Sequence, residues 1–213
     1  VWTTWYITHL PWLNISEPTS IPVIVLAWCA AIALSLRGLG RTAFAAGAGA
    51  GILSAALGLL VLGSKLVTKT DPGAETVQTI PSAGLIAVGF VGLGGVLGLI
   101  AGAIASKFAV RSEPTPWLGR FALTTAASIV PLLVAGGLVT SADAGMAVPD
   151  WPNTFGSNMF LYPLGPRVQP MVGEAYRDIY LEHAHRLFGA LVGLTTLTLM
   201  LWAAAAEKRR WVK

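Results

Sequence analysis

Leu181-Glu-His-Ala-His-Arg-Leu-Phe-Gly189 opens a stretch of sequence that then stays apolar to Ala206. A run of that length is enough to cross a bilayer as a helix, which takes roughly 20 residues. Its mouth carries four ionisable side chains: Glu182, His183, His185 and Arg186. Such groups at a bilayer boundary are costly, so they face a partner, a cofactor or water. Two of the three histidines of the chain stand here, and any chemistry is sought here first.

The rest of the chain resembles this stretch in composition. It is 54% hydrophobic and 11% charged, with a mean hydropathy of +0.68, more apolar surface than a soluble domain of this length hides. The fold class this implies is all-α: a polytopic transmembrane helical bundle. About five segments are long and apolar enough to span, near 21–36, 43–66, 83–106, 119–141 and 183–206, the first being the shortest. The opening Val1-Trp-Thr-Thr-Trp-Tyr6 is aromatic and uncharged, unlike a cleavable signal peptide. A chain that starts on Val1 is expected to be an internal fragment.

The net charge of +4 does not point to nucleic acid, because the basic residues lie between the spans. Arg37 and Arg41 follow the first. Lys107, Arg111 and Arg120 lie between the third and fourth. Lys208, Arg209, Arg210 and Lys213 follow the fifth. All three clusters fall on one side, which the positive-inside rule makes cytoplasmic, leaving the N-terminus and the remaining loops outside. Lys65 and Lys69 oppose this and are expected to snorkel from a helix end. The pattern is that of a bacterial cytoplasmic membrane protein with its C-terminus inside. The single cysteine, Cys29, has no partner for a disulfide or a metal site and is read as packing.

Residues 1–20 hold three Trp, one Tyr and two Pro, the composition of an interfacial segment, with His9 as a solvated surface imidazole. Gly47 and Gly51, and then Gly94, Gly98 and Gly102, recur at four-residue spacing, as in helices that pack backbone to backbone. Asp71-Pro-Gly73 signals a turn between them. The polar, Pro-containing break at 111–117 divides the chain into a three-helix module, 1–116, of unknown role and a helix pair with a long outer loop, 117–213. Pro131 is expected to kink the fourth span. The loop of about 142–181 is too long to be a plain connection and too aromatic to be disordered, with Trp151, Phe155, Phe160 and Tyr162. A structured cap with short helices is expected. Asp150 reads as a turn former. Trp151 reads equally as a ligand wall or a lipid anchor.

On a helix, Glu182, His185 and Arg186 share one face, while His183 points roughly 100° away from Glu182. A neutral imidazole at His185 suits haem iron, Arg186 suits a propionate, and Glu182 suits proton transfer. A polar cluster closing a helix end, with Glu182 paired to Arg186, accounts for the same spacing equally well. His183 and His185 diverge by roughly 200° and do not easily share one ion, and no second His/Cys set completes a zinc site.

Three quoted stretches together resemble one family. Gly136-Gly-Leu-Val139, Asp143-Ala-Gly-Met-Ala-Val-Pro-Asp-Trp-Pro152 and Glu182-His-Ala-His-Arg186 with Gly189 look like haem A synthase, over about 117–213. The resemblance implies an oxidoreductase that converts the ring methyl of haem O to the formyl group of haem A for terminal oxidases. Glu182 then matches the family's essential acid, His185 its haem-ligand histidine, and Arg186 the Arg of the motif. The implied cofactors are haem O as substrate and haem b in the complete enzyme. The resemblance leaves room for a haem O synthase and a second copy of the chain as partners in the bilayer.

The sequence departs from the family in three ways. Asn153 stands where many members have a cysteine, so a thiol step is excluded, and Thr140 stands where an Arg is common. The second axial histidine and the second haem half are not in this chain, which is expected to be the N-terminal portion of such an enzyme, truncated, behind an extra module. The rival reading is a non-catalytic haem b-binding electron-transfer or assembly subunit. A third is a haem-free transporter.

Overall fold

The computed structural model of the protein describes residues 1–13, 15–67, 79–108, 116–162 and 173–206. Six helices run through them: α1 (Trp2–Thr8), α2 (Glu17–Ser35), α3 (Ala43–Leu62), α4 (Ala83–Ala105), α5 (Trp117–Ser141) and α6 (Tyr176–Ala206). Five of the described helical segments are long and apolar enough to cross a membrane, α1 being the short exception. The protein is an all-α integral membrane bundle. Leu26, Leu85 and Leu123 stand exposed on its helices, where lipid covers them. The turn at Asp71, the residues around Arg111 and the basic run 207–213 lie outside the described residues.

The chain divides into two compact units, one of 1–113 with 152–171 and the other of 114–151 with 172–213. In the first, the glycine stripes meet. A Cβ on Gly47 would collide with the Gly98 carbonyl, and one on Gly51 with the Gly94 carbonyl; Gly98 and Gly102 face Gly47 and Ala43 in the same way. The α3 and α4 backbones are in direct contact, which only residues without side chains permit. Trp28 of α2 closes the seam with Ala43, Ala55, Ala101 and Ala105, its indole N–H donating to Ser54 Oγ at 2.6 Å.

Three expectations about this unit need correction. The aromatics of the opening segment are not all turned outward: Trp2, Trp5 and Tyr6 of α1 are buried, Trp12 is exposed, and Trp2 donates its ring N–H to the Leu57 carbonyl at 3.3 Å. His9 is not a solvated imidazole. It is half-buried and stacked on Trp5 at 4.5 Å, because α1 turns its ring-bearing face inward. Finally, α3 ends at Leu62, and Gly63–Leu66 continue as a 3₁₀ turn. There Lys65 meets Glu17 at 2.5 Å, so the lysine is answered by a carboxylate of its own unit.

In the second unit α5 and α6 pack along their length, with Phe121 against Trp202 at 5.6 Å. α5 continues through Pro131 without a break in its helical assignment. It is capped at its C-terminus by Asp143, at φ 55°, while the Ala144 N–H reaches back to the Val139 carbonyl at 2.9 Å. Glycine is the usual occupant of such a left-handed cap, and Asp is one of the few residues that tolerate it. α6 begins at Tyr176, about two turns before the expected start. Tyr176, Ile179 and Tyr180 are buried at helical spacing, so the helix extends outward on packing that hydropathy alone does not register. Of the outer loop, the hairpin Asn153–Thr154 with Ser157–Asn158 belongs to the first unit and a 3₁₀ turn at Gly173–Ala175 to the second, with none of the expected short α-helices among its described residues.

Candidate functional site

The early start of α6 changes the setting of the ionisable cluster. Glu182, His183, His185 and Arg186 lie in the second and third turns of a long helix rather than at its mouth. Ala144 and Leu181 pack with Val139 into a small buried cluster. That contact brings the loop after α5 down beside the charged residues of α6.

Glu182 and Arg186, one turn apart, form an ion pair of 2.5 Å, both mostly buried. Glu182 also accepts the backbone N–H of Val148 at 2.6 Å through its other oxygen. Arg186 donates to the carbonyls of Val148 at 2.8 Å and Asp150 at 2.5 Å. The Val148-Pro-Asp150 segment is therefore fastened to α6 by three charge-assisted bonds, and such bonds are about twice as strong as neutral ones. A buried ion pair needs further hydrogen bonds of this kind to offset its desolvation.

His185 shares the helix but not the clamp. It is half-buried and turned toward α5, where a Cβ on Gly136 would sit 3.1 Å from its Nε2 and 3.5 Å from its Cδ2. The ring occupies the space that the glycine leaves. Among the described residues it has no hydrogen-bond partner, and a ring nitrogen not engaged by the protein is what an axial ligand requires. His183, buried on another side of α6, is set apart from it, as the spacing implied. Among the described residues no three His, Cys, Asp or Glu side chains cluster in a way that would hold an isolated metal ion.

Sequence reasoning missed three participants. The Val148 N–H, the Val148 carbonyl and the Asp150 carbonyl are backbone groups that no residue pattern marks. Gly136 was quoted within a motif but given no role; its signal was a Gly-Gly pair inside an otherwise ordinary helix. Asp150, read as a turn former, contributes its carbonyl to the clamp. Trp151 is 78% exposed beside it.

The comparisons with known proteins bear on this half of the chain. The family model of the cytochrome oxidase assembly protein, COX15-CtaA, matches residues 119–213. This stretch is COX15-CtaA-like, as its motifs implied. The COX15-CtaA match takes in α5, the loop clamp and α6, and so includes Gly136, Glu182, His185 and Arg186. It leaves the helices α1 to α4 unmatched. No curated protein and no solved structure matches the chain.

Proposed function

We propose that residues 117–213 form the haem-handling part of a haem A synthase-like oxidoreductase, which oxidises a methyl group of haem O to the formyl group of haem A for terminal oxidase assembly. The observation that carries this reading is His185, an uncommitted imidazole against Gly136 on the same helix as a buried, clamped carboxylate. The family match over the same residues supports it. In this reading His185 would hold the haem iron, and bound haem would supply redox chemistry there. Gly136 leaves room for the ring. Glu182 is the catalytic acid that holds or passes a proton near the reacting methyl. Arg186 is a positioning residue: its bonds hold Glu182 and the loop in one geometry. A propionate contact, the other role read for Arg186, would compete for the same donors. The basic clusters support an outer-side position for this site, in what we read as a bacterial cytoplasmic membrane.

The rival reading is a haem b-binding electron-transfer or assembly subunit. One observation favours it: both Glu182 oxygens are taken by Arg186 and Val148, as in a structural clamp. Co-expression of the complete parent gene with a haem O synthase, in cells that make no haem A, separates the two. Extracted haems are resolved by chromatography with mass detection. A haem A peak that disappears in Glu182→Gln and His185→Ala is the expected result. Persistent haem O, with the protein expressed and haem b bound, would establish the rival.

A further inference from the structure

The helices outside the family match hold a cavity of their own. It measures about 420 Å³ and lies wholly within the first unit, between α1, α2, the end of α3 and α4. That volume is in the range of small-molecule pockets, which are mostly apolar with a few placed polar groups. Trp28 and Phe90 form part of its wall, with centroids 6.1 Å apart. Because the Trp28 N–H is bound to Ser54, its ring offers the cavity an apolar surface. Trp5, Ile21 and Ile24 add to that surface, and His9, Glu17 and Lys65 supply its polar groups.

The polar groups have a defined character. The His9 Nδ1 lies 2.9 Å from the Trp5 carbonyl. The same Nδ1 lies 3.1 Å from the Thr8 hydroxyl; with the proton on Nδ1, shared with the carbonyl, a neutral ring leaves Nε2 as an acceptor. Stacking on Trp5 fixes the ring plane. Lys65 and Glu17 face the same imidazole electrostatically and are paired with each other, so their charges cancel. The site thus presents an imidazole and the Lys65–Glu17 ion pair above an aromatic-walled hole. An acyl chain needs neither imidazole nor ammonium. A phosphate headgroup would be drawn by Lys65 and repelled by Glu17. A neutral ring bearing a hydroxyl for His9 and a second oxygen for Lys65 engages both nitrogen groups.

We infer that this cavity binds the ring of a lipid-soluble quinol, with one hydroxyl donating to His9 and the other oxygen facing Lys65. The inference is independent of the haem reading, because among the described residues none of 119–213 lines the cavity.

The test uses the full chain in phosphatidylcholine nanodiscs, titrated with decylubiquinol, with bound probe counted by mass spectrometry after rapid separation. Saturable binding at one equivalent is expected. His9→Leu should weaken it about tenfold, the worth of one hydrogen bond to a desolvated group. Ile24→Trp, which fills the cavity, should abolish it. Thermal unfolding of each variant without probe shows that the bundle is intact. Equal binding in wild type and both variants would overturn the inference. So would a phospholipid retained by wild type, absent from Ile24→Trp, with no quinol bound, which would make the cavity an acyl-chain site.

Discussion

Arg186 and Glu182 stand one helical turn apart on α6, joined at 2.5 Å, and the same guanidinium holds the carbonyls of Val148 and Asp150. The pair does more than neutralise itself. It closes a loop across 34 to 38 residues of sequence separation, so the Pro-Asp-Trp-Pro segment keeps a fixed place beside the helix.

Lysine at position 186 cannot reproduce that geometry, since a single ammonium lacks the planar fork of guanidinium. Arg186→Lys is expected to lower stability by about 2 kcal/mol and to leave the loop open. Glu182→Ala, which strands a buried cation, should cost roughly 3 kcal/mol. Thermal unfolding in detergent and limited proteolysis of the 145–160 segment read both. An Arg186→Lys protein as stable and as protease-resistant as wild type would remove the clamp.

Gly136 and His185 give a second test. A Cβ at 136 meets Nε2 at 3.1 Å, tight enough that the ring must shift. Gly136→Val is expected to lower haem content, seen as Soret absorbance per protein, to near the level of His185→Ala, with helical circular dichroism unchanged. Gly137→Val, where a side chain enters open space, should leave the Soret band intact. Equal haem content in both glycine variants would separate His185 from haem binding.

The seam between α3 and α4 predicts a sharp positional contrast. Gly51→Leu sets a side chain against the Gly94 backbone, whereas Gly92→Leu points into open space. Overpacking costs typically 1 to 3 kcal/mol, and backbone-to-backbone contact puts Gly51→Leu at or above the top of that range. Gly92→Leu should stay within about 0.5 kcal/mol. Comparable thermal midpoints for the two variants would contradict the seam.

His9 supplies a pH dependence. Burial pushes its imidazole below the ordinary 6.5; the bond to the Trp5 carbonyl opposes this, Lys65 adds to the lowering, and Glu17 pulls it back. Between the folded and unfolded values the unfolded chain binds more protons, so stability rises with pH. The contribution is complete above pH 6.5 and is lost as pH falls through that value toward the lowered folded one. Thermal midpoints from pH 7.5 down to 5 should fall in wild type and fall less in His9→Gln. Parallel profiles would mean that His9 titrates as it does in the unfolded chain.

The sequence by itself determined the membrane class, the five spans to within a few residues except at the start of α6 and the end of α3, the α3–α4 glycine seam and the family resemblance of about 117–213. These follow from hydropathy over about 20 residues, from four-residue spacing and from short motifs, all of which are local. It also named Glu182, His185 and Arg186 as the residues to examine. Only the tertiary structure decided how they divide: Glu182 and Arg186 into a clamp on backbone groups of Val148 and Asp150, and His185 toward Gly136. Backbone carbonyls and N–H groups are the same in every residue, so no sequence pattern announces which ones a buried guanidinium will find. His9 read as a surface imidazole, since part of the lining that makes it one wall of a cavity, Leu62, Lys65 and Phe90, comes from far along the chain.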